Sequence, residues 1–167
     1  GIRVVDLTQY ESGPSATQLL AWLGADVVKV EPPGGDPSRS LVGANRERES
    51  ILFSLLNQGK RSIVLDLKRD SDREVLLAML ADADVLSENF APGTLPRLGL
   101  EVAGLRARFP KLVIATITGY APGGPWQDFK SFDFVAQAVG GAISVTGEPD
   151  RTPVRMGPTV ADSGAGL

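Results

Sequence analysis

The sequence predicts an α/β protein built on an open, mostly parallel sheet with flanking helices. Apolar runs of strand length alternate with stretches of helical period, the pattern of βα units. Two strings, Ala25-Asp26-Val27-Val28 and Ala83-Asp84-Val85-Leu86, echo one another, each following a helix and leading to an acidic residue and a Pro-Gly loop. The 167 residues are 43% hydrophobic and 22% charged, close to globular averages, so one domain with a real core is expected.

Taken in order, residues 3–7 form the first strand. Gly13 and Pro14 open a helix, proline costing nothing at the first helical position, and Leu19, Leu20 and Leu23 supply its apolar stripe before Gly24 ends it. Residues 26–31 form the second strand, closed by Pro32-Pro33-Gly34-Gly35, which must be loop. A short helix over 51–56 leads to a third strand over 62–67. Ser71 with Glu74 reads as a capping box for a helix reaching about Leu80. Residues 84–88 form the fourth strand, 92–98 and 101–109 are helical, and the β-branched run 112–117 is the fifth strand. Residues 119–124 are loop, 132–139 have helical spacing stopped by Gly140-Gly141, and 147–158 are irregular and Pro-rich. In such a sheet ligands bind beyond the carboxyl ends of the strands. The loops after Leu7, Glu31, Leu67, Glu88 and Ile117 are therefore the places for chemistry.

Composition narrows the chemistry. There is no His and no Cys. That removes Ser-His-Asp and Cys-His nucleophile systems, zinc sites of imidazole or thiolate, and disulfides, and no metal is expected. Seventeen Lys and Arg against 20 Asp and Glu leave a net charge of −3, without the basic excess that nucleic-acid binding needs. The longest apolar runs fall far short of a membrane span, and no basic-then-apolar leader precedes the first strand, so no membrane association and a soluble, cytoplasmic protein are expected. The opening on Gly1 without Met, straight into a strand, and the abrupt end suggest trimming at both sides.

The first βα turn, Thr8 to Pro14, has one Gly where a dinucleotide site carries G-x-G-x-x-G, and no phosphate loop occurs. NAD is therefore not expected, and Glu31 reads as a structural loop carboxylate rather than a ribose ligand. Arg39, Lys60-Arg61, Lys68, Arg97 and Lys130 recur near strand ends. Each is ordinary surface charge by composition, but together they suit a polyanionic small molecule. Asn89-Phe90 offers an amide and an aromatic face that would suit a purine, though Phe90 equally fits a core plug. Asp162 reads by local pattern as a helix N-cap, and Asp133 as another cap or a partner of Lys130.

These segments together resemble the class III CoA-transferase family, the group of formyl-CoA and carnitine CoA-transferases. The resemblance runs through residues 1–8, Ser12-Gly13-Pro14, residues 23–33, Asn57, Lys60-Arg61-Ser62-Ile63, Leu65-Asp66-Leu67-Lys68, Ala83-Asp84-Val85, Glu88-Asn89-Phe90, Pro92-Gly93, Leu98-Gly99-Leu100, Gly119-Tyr120 and Gly124-Pro125. It implies a Rossmann-like large domain, two chains interlocked as a homodimer, and Asp162 as catalytic nucleophile. It also implies coenzyme A contacts at Leu65, Lys68, Asn89, Phe90, Arg97 and Lys130, with Arg39 a further candidate. The substrates implied are an acyl-CoA and a small carboxylic acid. An aspartate is ionised near neutrality and needs no base to become a nucleophile, which suits a chain without His. Backbone N–H groups near Gly164 or Gly166 are candidates for oxyanion stabilisation.

Members of that family are over twice as long. Residues 1–167 are thus expected to be the N-terminal part of the large domain, lacking the small domain and the C-terminal return. Two rivals stand: an α-methylacyl-CoA racemase, whose His would fall near Phe132, and a non-catalytic CoA-binding or dimerisation module. The loop 9–12, with Tyr10 and Glu11, is expected to face the acceptor, without identifying it.

Overall fold

The computed structural model describes residues 1–41 and 50–167. Five strands alternate with helices: β1 (Arg3–Asp6), α1 (Ser12–Trp22), β2 (Asp26–Glu31), α2 (Ile51–Leu56), β3 (Arg61–Val64), α3 (Asp70–Ala81), β4 (Val85–Glu88), α4 (Thr94–Arg97), α5 (Val102–Arg108), β5 (Val113–Thr116), α6 (Asp133–Val139) and α7 (Val160–Gly166). Short 3-10 turns cover Pro37–Ser40 and Ala142–Val145, two stretches to which the sequence reading assigns no element.

All the strands are parallel, in the order β3-β2-β1-β4-β5. Val4 of β1 lies opposite Val27 on one side and Val85 on the other. The two echoing strings therefore flank the central strand as like-oriented units. Their aspartates serve the same end of it: Asp26 pairs in register with Arg3, and Asp84 accepts its N–H at 2.7 Å. The chain runs outward from β1 to β3 and then crosses to β4. The gap between the carboxyl ends of β1 and β4 is thus the switch point where open α/β sheets bind ligands.

Burial follows the order. The middle strands are almost wholly buried and the outer strands β3 and β5 largely exposed. Val5, Val30 and Leu86 from the sheet meet Leu76 and Leu80 of α3 and Leu105 of α5 in one core. Among the described residues no helix is long and apolar enough to cross a membrane.

Two local expectations are corrected. The third strand ends at Val64, although the Leu65 N–H still bonds the Glu31 carbonyl at 2.9 Å. The chain then turns at once into α3, the Arg69 N–H bonding the Asp66 carbonyl. The Ser71–Glu74 capping box does not form, because α3 starts at Asp70 and Ser71 already lies in its first turn, its hydroxyl donating to Asp72. The α3 entry is held instead by Asp72, which accepts the Asp66 N–H at 2.8 Å.

Candidate active site

The loops following β1, β4 and β5 enclose a cavity of about 470 Å³ at the switch point. Beside it α1 packs closely on the loop after β1: a Cβ on Gly13 would fall 2.3 Å from that of Thr8, so only glycine fits there. Tyr10, at the rim, adopts φ +65°, an uncommon backbone state for a non-glycine residue, and packs edge-to-face on Phe132 with ring centroids 5.8 Å apart. Asn89 ties the β4 loop to the β1 loop, accepting the Gln9 N–H at 2.8 Å and donating to the Gln9 carbonyl at 2.7 Å.

Beside this cavity, toward β2 and β3, lies a buried layer of paired charges. Asp6, fully buried, accepts from the Thr8 N–H, the Thr17 hydroxyl and Lys60, whose Nζ stands 3.0 Å away. Lys60 also donates to the Pro14 carbonyl and Asn57. Burial pulls the Lys60 ammonium down to about 8, against the Asp6 charge that holds it up. Lys29 pairs with Asp36 at 2.8 Å and donates to the Thr8 carbonyl at 2.6 Å. Glu31 takes a two-pronged hydrogen bond from Arg39, at 2.6 and 2.7 Å, with Ser62 and the Asp36 N–H completing its shell. Burial alone would raise Glu31, but these donors outweigh it and hold it at about 2. The reading of Glu31 as a structural carboxylate agrees with this geometry. The placement of Lys60 and Arg61 among ligand-facing surface cations does not: Lys60 is buried on Asp6, and Arg61 is bound to Asp26 at 2.6 Å.

Asp162 occupies a different setting. It lies in the first turn of α7, whose N-cap is Thr159, so the local N-cap reading of Asp162 is corrected by three residues. The short helix seats on α1 because Gly166 carries no side chain: a Cβ there would meet the Ser15 hydroxyl at 2.1 Å and the Ser12 carbonyl at 2.8 Å. That seat brings Asp162 to the cavity alongside Glu11. Glu11 Oε1 accepts from the Thr159 hydroxyl and from the Ser163 hydroxyl at 3.2 Å. Asp133, buried at the start of α6, accepts the Ala161 N–H at 2.9 Å and, more weakly, that of Asp162 at 3.4 Å. It is a cap, as expected, but for α7 rather than for its own helix. Burial first, then the charges of Glu11 and Asp133, push the Asp162 carboxyl up to about 6, opposed by a backbone hydrogen bond at Asp133.

Gln137, also buried, donates to Asp133 at 2.7 Å and accepts the Met156 N–H at 2.9 Å, pinning the irregular 147–158 passage beneath the site. No local sequence signal links Asp133 or Gln137 to Asp162, since the contacts span 19 to 29 residues. Gly164 and Gly166 fall inside α7, where N–H groups serve the helix ladder, so they are not free donors at a helix start.

The structure brings Asp162, Asn89, Phe90 and Lys130 together on the cavity wall. Leu65 is in the core, Lys68 is exposed on the turn after β3, Arg97 is exposed at the end of α4, and Arg39 is engaged with Glu31 and stacked 3.7 Å over the Phe53 ring. The Asn89 amide is spent on Gln9 in this arrangement, leaving the Phe90 ring as the free contribution of that pair. A smaller cleft of about 220 Å³ adjoins across Phe90 and Pro92, toward α4.

Comparison with known proteins places this geometry in context. Residues 1–167 match CoA-transferase family III along their whole length. Formyl-CoA:oxalate CoA-transferases of Afipia carboxidovorans and Streptomyces avermitilis are each 46% identical to all of this chain, which covers 39% and 41% of them respectively. The chain thus spans about two fifths of the length of these curated relatives. The crystal structure of a CAIB/BAIF family protein from Brucella suis superposes with a TM-score of 0.92 at 40% identity, over 97% of this chain and 44% of that one. A hypothetical protein from Mycobacterium tuberculosis gives 0.90 at 36% identity, over 99% and 46%.

Proposed function

The chain belongs to CoA-transferase family III, and on that premise we propose that it carries the nucleophile and part of the CoA site of an enzyme moving CoA from an acyl-CoA to a carboxylic acid. The observation that carries this reading is the position of Asp162: a half-buried carboxyl on a cavity at the sheet switch point, between two other carboxylates and, among the described residues, without a cation of its own.

The chemistry needs only that group. The Asp162 carboxylate attacks the thioester carbonyl, a C–O bond forms, the C–S bond breaks, and CoA leaves as thiolate, giving a mixed anhydride. The thiolate attacks the aspartyl carbonyl and expels the donor acid, leaving an aspartyl-CoA thioester. The acceptor carboxylate then attacks that carbonyl and expels the thiolate. The thiolate finally attacks the acceptor acyl group, releasing the new acyl-CoA and the free Asp162 carboxylate. Thioester is exchanged for thioester, so no nucleotide hydrolysis is required. At pH 7 a carboxyl near 6 remains mostly ionised while being more basic, hence more nucleophilic, than an ordinary aspartate.

CoA itself is the substrate that spans the remaining candidates. Phe90 and Lys130 would meet the pantetheine end at the cavity. Lys68 and Arg97, exposed outside it, would follow the nucleotide, a layout that an extended ligand permits, while Leu65 lies in the core and Arg39 is engaged with Glu31. At Phe132, where the racemase alternative wants a His, the cavity has a hydrocarbon ring that cannot move a proton, which favours acyl transfer over α-proton exchange.

Incubating the full-length protein with acyl-CoA and hydroxylamine tests the reading. The expected product is an aspartyl hydroxamate at Asp162, absent in Asp162→Asn, with acyl exchange lost by at least about 10³-fold. CoA binding without any adduct would favour a non-catalytic module. Deuterium entry at the α-carbon without exchange would favour a racemase.

A further inference from the structure

We propose that Glu11 sets the charge of the acceptor, so that the site takes monocarboxylic acids with an apolar or aromatic body and discriminates against dicarboxylates. The inference rests on the transferase reading above.

The cavity wall carries two carboxylates, Glu11 and Asp162, and among the described residues one cation, Lys130. Glu11 is not free to swing away. Its Oε1 is held by hydroxyls at both ends of one α7 turn, Thr159 and Ser163, so its charge is fixed beside the nucleophile. When Asp162 is esterified to CoA it becomes neutral, and Glu11 is the negative charge left next to the reacting carbonyl. Every acceptor brings one carboxylate there. A second carboxylate adds a repulsion that a half-buried cleft screens poorly. Recognition of a second carboxylate ordinarily needs an arginine fork or another cation, which the described wall lacks. Lys130, in this reading, already serves CoA.

The rest of the wall favours an apolar acceptor body. Tyr10 and Phe132 form an edge-to-face pair at 5.8 Å, and the Phe90 and Phe129 rings face the same space. Rings of this kind gain from burying a hydrocarbon or aromatic group and offer a carboxylate nothing. The relatives are named for oxalate, a dicarboxylate. The site in this chain points to a different class of acceptor.

The experiment compares discharge of the full-length protein's acyl-CoA to butyrate and to succinate, acids of equal carbon number. Butyrate is expected to exceed succinate by at least about tenfold in kcat/KM. Glu11→Gln, which keeps an oxygen for both hydroxyls, is expected to bring the ratio within about threefold. A preference for succinate, or a ratio unmoved in Glu11→Gln, overturns the inference. So does a hydroxamate at Asp162 with discharge to neither acid. Absence of both hydroxamate and exchange overturns the transferase reading first, and this inference with it.

Discussion

Two carboxylate clusters lie on either side of the β1 loop and are treated in opposite ways. Toward β2 and β3, Asp6, Asp36 and Glu31 each face a cation, Lys60, Lys29 and Arg39 respectively. Toward β4 and α7, Glu11, Asp133 and Asp162 face one another, held by hydroxyls and backbone N–H groups. Burial raises both Glu31 and Asp162; its donors overturn that at Glu31, down to about 2, while like charges add to it at Asp162, up to about 6. Pairing locks a carboxylate into the scaffold, whereas grouping like charges keeps one of them basic and reactive. A region's role can thus be read from its countercharges rather than from its count of acidic residues.

The comparison is broken most directly by unpairing the scaffold side. Lys60→Met in the full-length protein leaves Asp6 fully buried with its hydrogen-bond donors but no cation. The expected cost is about 3–5 kcal/mol in urea denaturation at pH 7, and adding Asp6→Asn should recover part of it. A loss below about 1 kcal/mol would mean that the buried layer does not carry the fold.

A smaller effect comes from pH. The folded pKa of Glu31, about 2, lies below its reference value of 4.5, so its contribution is fully present above about pH 4.5 and is lost as pH falls toward 2. The window amounts to about 3 kcal/mol. Arg39→Met also removes the stack over Phe53, a loss without pH dependence. The diagnostic is therefore the difference between wild type and variant, which should narrow on acidification from pH 6 to 3. A constant gap would assign Arg39 to packing alone.

How far the sequence reaches differs between these regions for the same physical reason. Strand and helix positions follow from periodicity, and all five strands lie within three residues of the expected bounds because each is a short apolar run between breakers. Glu31 was legible as structural because a missing glycine fingerprint removed its other role. Lys60 was not, since a lysine between a Gly and an Arg looks like surface until the chain folds it 54 residues back onto Asp6. Asp162 had no local distinction, and its prominence came from the family resemblance. Its chemical setting depends on Glu11 and Asp133, brought to it by the α1–α7 seat at Gly166, a contact that no sequence window contains.

The finest test concerns how much of the Asp162 displacement comes from its like-charged neighbours. A negative neighbour penalises the ionised form, so removing Glu11 must lower the Asp162 pKa, leaving burial and the Asp133 charge still raising it. The acid limb of kcat/KM, expected near pH 6 in the wild type, should move down in Glu11→Gln by up to about one unit, or tenfold in rate at a fixed acidic pH. The sign is decisive: a limb that stays near 6 leaves burial and the Asp133 charge as the causes, and one that rises makes the Glu11 carboxylate a net stabiliser of the Asp162 charge. A downward shift would tie part of the reactivity of the nucleophile and the charge selection of the acceptor to one side chain, because the repulsion that adds to burial in keeping Asp162 basic is the one a second acceptor carboxylate would meet.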